Sequence, residues 1–189
     1  MRLRTNKPSG GLPRGINSRV NVKRITLLGI LLTFTLIMGM VERLIPLDGM
    51  VPGLRLGLAN LAVVISLYTL KRSDTLILII LKCLMTAMLS GSIIALLYSL
   101  AGSLASLLIM LLIISIKTKN ISMVGVSVAG AAFHNLGQIG VARLIFGTWG
   151  VLLYLPFLLI IGTISGVIIG FLAKAVYPRI CKYINAHPY

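Results

Sequence analysis

The chain has 189 residues, 58% of them hydrophobic and 11% charged, with a mean hydropathy of +1.03. No soluble domain of this size hides that much apolar surface, so the composition excludes an ordinary water-soluble fold and makes lipid the expected solvent. The 18 Lys and Arg outnumber three acids, Glu42, Asp48 and Asp74, for a net charge of +15; because the bases flank apolar runs, they point to membrane orientation and not to nucleic acid.

Residues 1–23, "MRLRTNKPSGGLPRGINSRVNVK", are basic, polar and rich in Gly and Pro, the composition of a disordered cytoplasmic tail. An anionic inner leaflet would attract such a tail. The apolar run that follows is too long for a signal-peptide core and lacks a small-residue cleavage site, so a retained helix is expected. Apolar segments lie near 25–45, 56–70, 74–90, 92–116, 121–146 and 149–176. A spanning helix needs roughly 20 apolar residues. The second and third segments are short for that, which suggests tilt, a break or incomplete spanning. Strand-like alternation is absent, and backbone in lipid must satisfy its own hydrogen bonds, so all six are read as helices.

The basic residues fix the expected orientation. Most of the 18 lie in the N-terminal tail through Arg24, at Lys71 and Arg72, at Lys117 and Lys119, and at Lys174, Arg179 and Lys182. These are alternate connections, so the positive-inside rule puts both termini in the cytoplasm. The reading is an all-α integral membrane protein, a six-transmembrane-helix bundle at 24–177 with a short basic cytoplasmic tail at 178–189. A multi-pass place in a bacterial plasma membrane follows. Cys83, in an apolar run, and Cys181, in the basic tail, form no disulfide framework.

Small residues recur every four positions at Gly162, Gly166 and Gly170, and at Gly91, Ala95, Ser99 and Ser103. That spacing lets helix backbones approach closely in lipid. Packing within the bundle is one reading; a docking face for a partner membrane subunit is the other.

A second set of polar residues sits inside the apolar segments. "AAFHNLGQIGVAR" carries His134, Asn135, Gln138 and Arg143. His134 falls roughly 20 Å along a core about 30 Å thick. Positions 134 and 138 stack one turn apart and 135 lies beside 138, so a single polar patch is expected. Lipid is a costly neighbour for it, which turns the patch toward the bundle or a cavity. Glu42, Arg55, Asn60 and Arg143 belong to the same outer half, and Glu42, Arg55 and Arg143 could rim that cavity. Together they suggest a binding site for a small-molecule solute; interhelical hydrogen bonding without a ligand is the alternative. Lys82 follows "TLILIIL" near mid-bilayer, where an unpaired Lys costs several kcal/mol. It either reaches the polar patch or holds an anionic ligand group. The loop with Pro46, Gly49, Pro52 and Gly53 is a lid or a structured connection.

"VPGLRLGLAN", followed later by "FHNLGQI", resembles the Gx transporter family, also described as heptaprenyl diphosphate synthase component I. The resemblance covers about 25–176. It implies kinship with the solute-binding S components of energy-coupling-factor transporters, six-helix proteins that capture a vitamin outside and work with a membrane T subunit and ATPases. Those often carry a small-residue docking motif on helix one; here "GILLT", Gly29 to Thr33, is a weaker version. The enzyme-like description implies instead a membrane accessory to a soluble prenyl synthase. Catalysis by the chain itself is not expected. Aspartate-rich metal motifs need clustered carboxylates, and Asp48 and Asp74 are far apart. No GxxxxGKS phosphate loop occurs either. No cofactor or metal site is expected.

Overall fold

The computed structural model describes residues 14–44, 57–116 and 121–186, and every regular element among them is helical. Six α-helices run in the order α1 (Arg14–Leu44), α2 (Asn60–Thr69), α3 (Arg72–Ser90), α4 (Ile93–Ser115), α5 (Met123–Phe146) and α6 (Leu155–Ala186). A 3-10 turn, Trp149–Tyr154, precedes α6.

Helix ends follow local chemistry. The hydroxyls of Ser92 and Ser122 accept from the backbone N–H of Ala95 and Gly125 at 3.3 and 3.1 Å, capping α4 and α5. Gly91 and Gly147 close α3 and α5 at φ +62° and +66°, a left-handed conformation that suits glycine. Gly91 therefore belongs to the end of α3 and not to a small-residue row on α4. Two tail boundaries also differ from expectation. α1 begins at Arg14, inside the segment read as a disordered tail to residue 23, since no proline follows Pro13 until Pro46 to break the helix. α6 continues through Pro178 to Ala186, inside the expected C-terminal tail.

Among the described residues, four helical stretches are long and apolar enough to cross a membrane: Arg24–Glu42, Arg72–Ser90, Ile93–Ser115 and Trp149–Lys182. This makes the chain a multi-pass membrane protein by length and composition. α5 has the length, 24 residues, but its polar residues dilute its apolar character. α2 has only ten residues, which reach about 15 Å, half of a bilayer core. Its burial compensates. Leu61 through Ser66 are consecutively buried, so α2 is enclosed all round by protein. It anchors a core shared with Leu78, Ile79, Met110, Val126 and Ile169.

α5 lies between α4 and α6. Both crossings use glycine. A Cβ on Gly137 would sit 2.7 Å from the Ala101 carbonyl oxygen, and one on Gly102 2.9 Å from the His134 carbonyl oxygen. On the other side, a Cβ on Gly166 or Gly170 would sit 2.8 or 2.6 Å from the Cα of Val128 or Val124. Gly162 faces the Asn135 amide. The Gly162–Gly166–Gly170 row is thus covered by α5, and it is not open to a partner subunit. By contrast, Gly29 and Thr33 are exposed on α1, where the Thr33 hydroxyl donates to the Gly29 carbonyl at 2.9 Å.

Arg24 on α1 grips both carboxylate oxygens of Asp74 in the first turn of α3, with Nε to Oδ2 at 2.6 Å. Asp74 is 1% exposed. Tyr68 meets Tyr177 edge to face at 5.9 Å, tying the end of α2 to α6. These contacts gather Arg24, Lys71, Arg72 and the C-terminal part of α6 at one end of the bundle. Removing Arg24 would strand a buried carboxylate, whereas removing the carboxylate strands only a partly exposed guanidinium. Arg24→Met is therefore expected to lower the melting temperature more than Asp74→Asn. Scanning both purified variants checks the order.

Candidate functional site

The polar residues of several helices meet at the other end. Lys82 is 5% exposed on α3, and its Nζ donates to Asn60 Oδ1, the first residue of α2, at 2.7 Å. Asn60 is held there by its own backbone: its N–H donates to the Gly57 carbonyl at 2.7 Å, and Gly57 adopts φ +77°. Glu42, at the end of α1, accepts from the Leu58 N–H at 2.6 Å. Three helices thus converge on the turn that starts α2. On the facing side, Gly102 lets α5 lie close enough to α4 to bring His134 and Gln138 to the same space.

The result is a cavity lined by Glu42, Asn60, Lys82, Thr86, His134 and Gln138, with Ser99 and Gly57 between them and Leu36, Met40 and Leu89 as an apolar wall. It measures about 40 Å³. A water needs roughly 10–15 Å³ by the same measure, so there is room for a few waters or one small polar group. A lysine, a glutamate, an imidazole and two amides in one cavity can neutralise an anion and hydrogen-bond its neighbours.

Five of the expected site residues, Glu42, Asn60, Lys82, His134 and Gln138, are brought together here. Asn135 is not among them. Its Nδ2 donates to the Leu158 carbonyl at 2.6 Å, tying α5 to α6. One residue along a helix rotates a side chain by about 100°, which turns 135 away from the 134/138 row. Arg143 does not line the cavity either. Its guanidinium lies over the Trp149 ring at 4.3 Å, a cation–π contact at the end of α5. Arg55 and the loop at 45–56 lie outside the described residues. Thr86, Ser99, Gly39 and Gly57 line the cavity without being expected as site residues. Thr86 and Gly39 carry no sequence signal, Ser99 stands out only in a small-residue row on α4, and Gly57 lies inside "VPGLRLGLAN".

Asn135→Ala removes one buried hydrogen bond between α5 and α6, so it should cost about 1 kcal/mol of stability. Denaturation of the purified variant against wild type measures that loss.

Residues 31–176 match the family model described as heptaprenyl diphosphate synthase component I. The chain belongs to that family. The match runs from the middle of α1 to α6 and contains every described residue of the cavity. No curated protein and no solved structure matches the chain. Family membership is consistent with a non-catalytic membrane subunit.

Proposed function

We propose that this component I chain is a non-catalytic membrane subunit that holds a small solute by an anionic group at Lys82. The observation that supports it is the buried Lys82–Asn60 pair, facing a cavity that also receives Glu42, His134 and Gln138. A cation inside a bundle of apolar helices is costly and marks a functional site. In this reading Glu42, Asn60, His134 and Gln138 orient the solute, Arg55 lies on the adjoining loop, and uptake from outside the cell is the purpose. A membrane T subunit with ATPases would then supply energy.

A second reading is favoured by the family match itself, which speaks for it more directly than for uptake. There the chain is the membrane accessory of a soluble prenyl diphosphate synthase, and the solute is a precursor or product of that enzyme. Capture of partners in mild detergent distinguishes the two: a soluble synthase with aspartate-rich motifs supports the second, an ATPase module the first. Either reading expects purified protein to be stabilised by anionic small molecules. No thermal shift across phosphates, diphosphates and carboxylates would overturn both.

Uptake also requires the cavity to open outward. A cysteine at Asp48 should react with an impermeant maleimide in intact cells, and one at Lys119 only after lysis, in a Cys83→Ser, Cys181→Ser background. Reversed labelling would remove uptake and leave the accessory reading.

A further inference from the structure

A smaller cavity of about 20 Å³ adjoins the first and shares Gly57, Asn60 and His134 with it. It extends between α2, α4, α5 and α6, and its polar lining is completed by Ser106, Ser127, Ser165 and Asn135. The three serines are 5%, 3% and 5% exposed. Hydroxyls inside apolar helices usually bond back to a carbonyl one turn earlier. Thr35, Thr69, Ser115 and Thr163 do so here, at 2.7 to 2.8 Å. Ser106, Ser127 and Ser165 show no such bond among the described residues, and they line this space. Three hydroxyls lining one small space suit an occupant that can donate to them or accept from them.

The backbone keeps that space open. A Cβ on Gly130 would come within 3.0 Å of Ser106 Oγ and 2.8 Å of Met110 Sδ, and one on Gly57 within 3.6 Å of Ser165 Oγ. No Lys, Arg, Asp or Glu lines it. An ionised group would therefore sit in low dielectric without a counter-charge, which excludes anions and cations as occupants. A neutral group that both donates and accepts hydrogen bonds, such as a hydroxyl, fits.

We infer that the serine-lined cavity is a second compartment of the solute site, and that the solute is two-ended. Its anionic end lies at Lys82, and a neutral hydroxyl-bearing end reaches past Asn60 and His134 to Ser106, Ser127 and Ser165. This rests on the reading of Lys82 as an anion site and adds the chemistry of the other end. Without solute, one water fits the volume and satisfies the serines.

The test uses the purified full chain and three probes: inorganic phosphate, glycerol, and glycerol phosphate, which joins the two ends. Glycerol phosphate should bind about tenfold more tightly than phosphate, the worth of one or two added hydrogen bonds. A Ser106→Ala, Ser165→Ala variant should lose that tenfold gain and keep its phosphate affinity. Gly130→Ala, which narrows the same space by a different route, should do likewise. Equal binding of phosphate and glycerol phosphate, or a full gain retained in the serine variant, would overturn the second compartment and leave the anion site standing. If no phosphate compound binds at all, the anion site fails and this inference fails with it.

Discussion

Replacing Lys82 with Met is expected to abolish stabilisation by anionic solutes while leaving the unliganded protein about as stable as before. The two effects separate for one reason. A lysine near the middle of an apolar helix costs about 2.5–3.5 kcal/mol on insertion scales. Methionine fills similar space without that cost. Against the gain stands the Lys82–Asn60 hydrogen bond at 2.7 Å, which with a charged donor is worth about 1.5–3 kcal/mol. The two terms are of similar size, so unliganded stability should change little and anion binding is the property that tests Lys82. Where it binds an anion, removing the charge should weaken binding by at least about a hundredfold, the loss of a charged hydrogen bond of roughly 3 kcal/mol. Thermal scans of wild type and Lys82→Met, with and without phosphate, measure both quantities. A variant that melts lower without solute and keeps its phosphate shift would make Lys82 a structural residue.

Polar residues in apolar runs were the legible part of the site. Glu42, Asn60, Lys82, His134 and Gln138 stand out because lipid is a poor neighbour for each, and they meet in one cavity. Helical geometry read one turn at a time was less dependable. Asn135 looked like part of the patch, but its amide reaches the Leu158 carbonyl on α6. Which neighbour lies on that side of α5 depends on packing, not on spacing. Arg143, expected at the rim, stacks on Trp149 because the chain reverses through the 3-10 turn just beyond α5. The Arg24–Asp74 pair joins residues 50 apart in sequence. Charge counting had assigned Arg24 to orientation and had no means of pairing it. The six apolar segments became six helices, but the second came out shorter than its apolar run, with α2 beginning at Asn60. Gly57 at φ +77° and the Glu42 bond to Leu58 hold a turn ahead of it, so the apolar residues from 56 are not all helix.

The glycine row on α6 supports the largest expected structural effect. Gly166→Leu, or Gly166→Ala with Gly170→Ala, should lower the melting temperature sharply, because a Cβ at either site meets backbone. The distances, 2.8 Å to Val128 Cα and 2.6 Å to Val124 Cα, lie below any real carbon contact. Neither Cα can move without shifting α5 as a whole, so the helices must separate along the length of their crossing. Overpacking at one such site costs about 1–3 kcal/mol, and two sites on one seam are coupled, so the pair costs more than either alone without a simple sum. The control is Gly29→Ala on α1, where nothing lies within 4 Å of the new methyl group. There the gain in helix propensity, up to about 1 kcal/mol, should leave the protein unchanged or slightly more stable. The separation of α5 from α6 also has a functional reading. α5 carries His134 toward one cavity and Ser127 toward the other, and α6 carries Ser165. Displacing α5 should therefore weaken binding of glycerol phosphate more than binding of phosphate, since only the former depends on both helices. A variant that melts normally would mean that α5 and α6 do not pack through these glycines, and the serine-lined cavity between them would lose its walls.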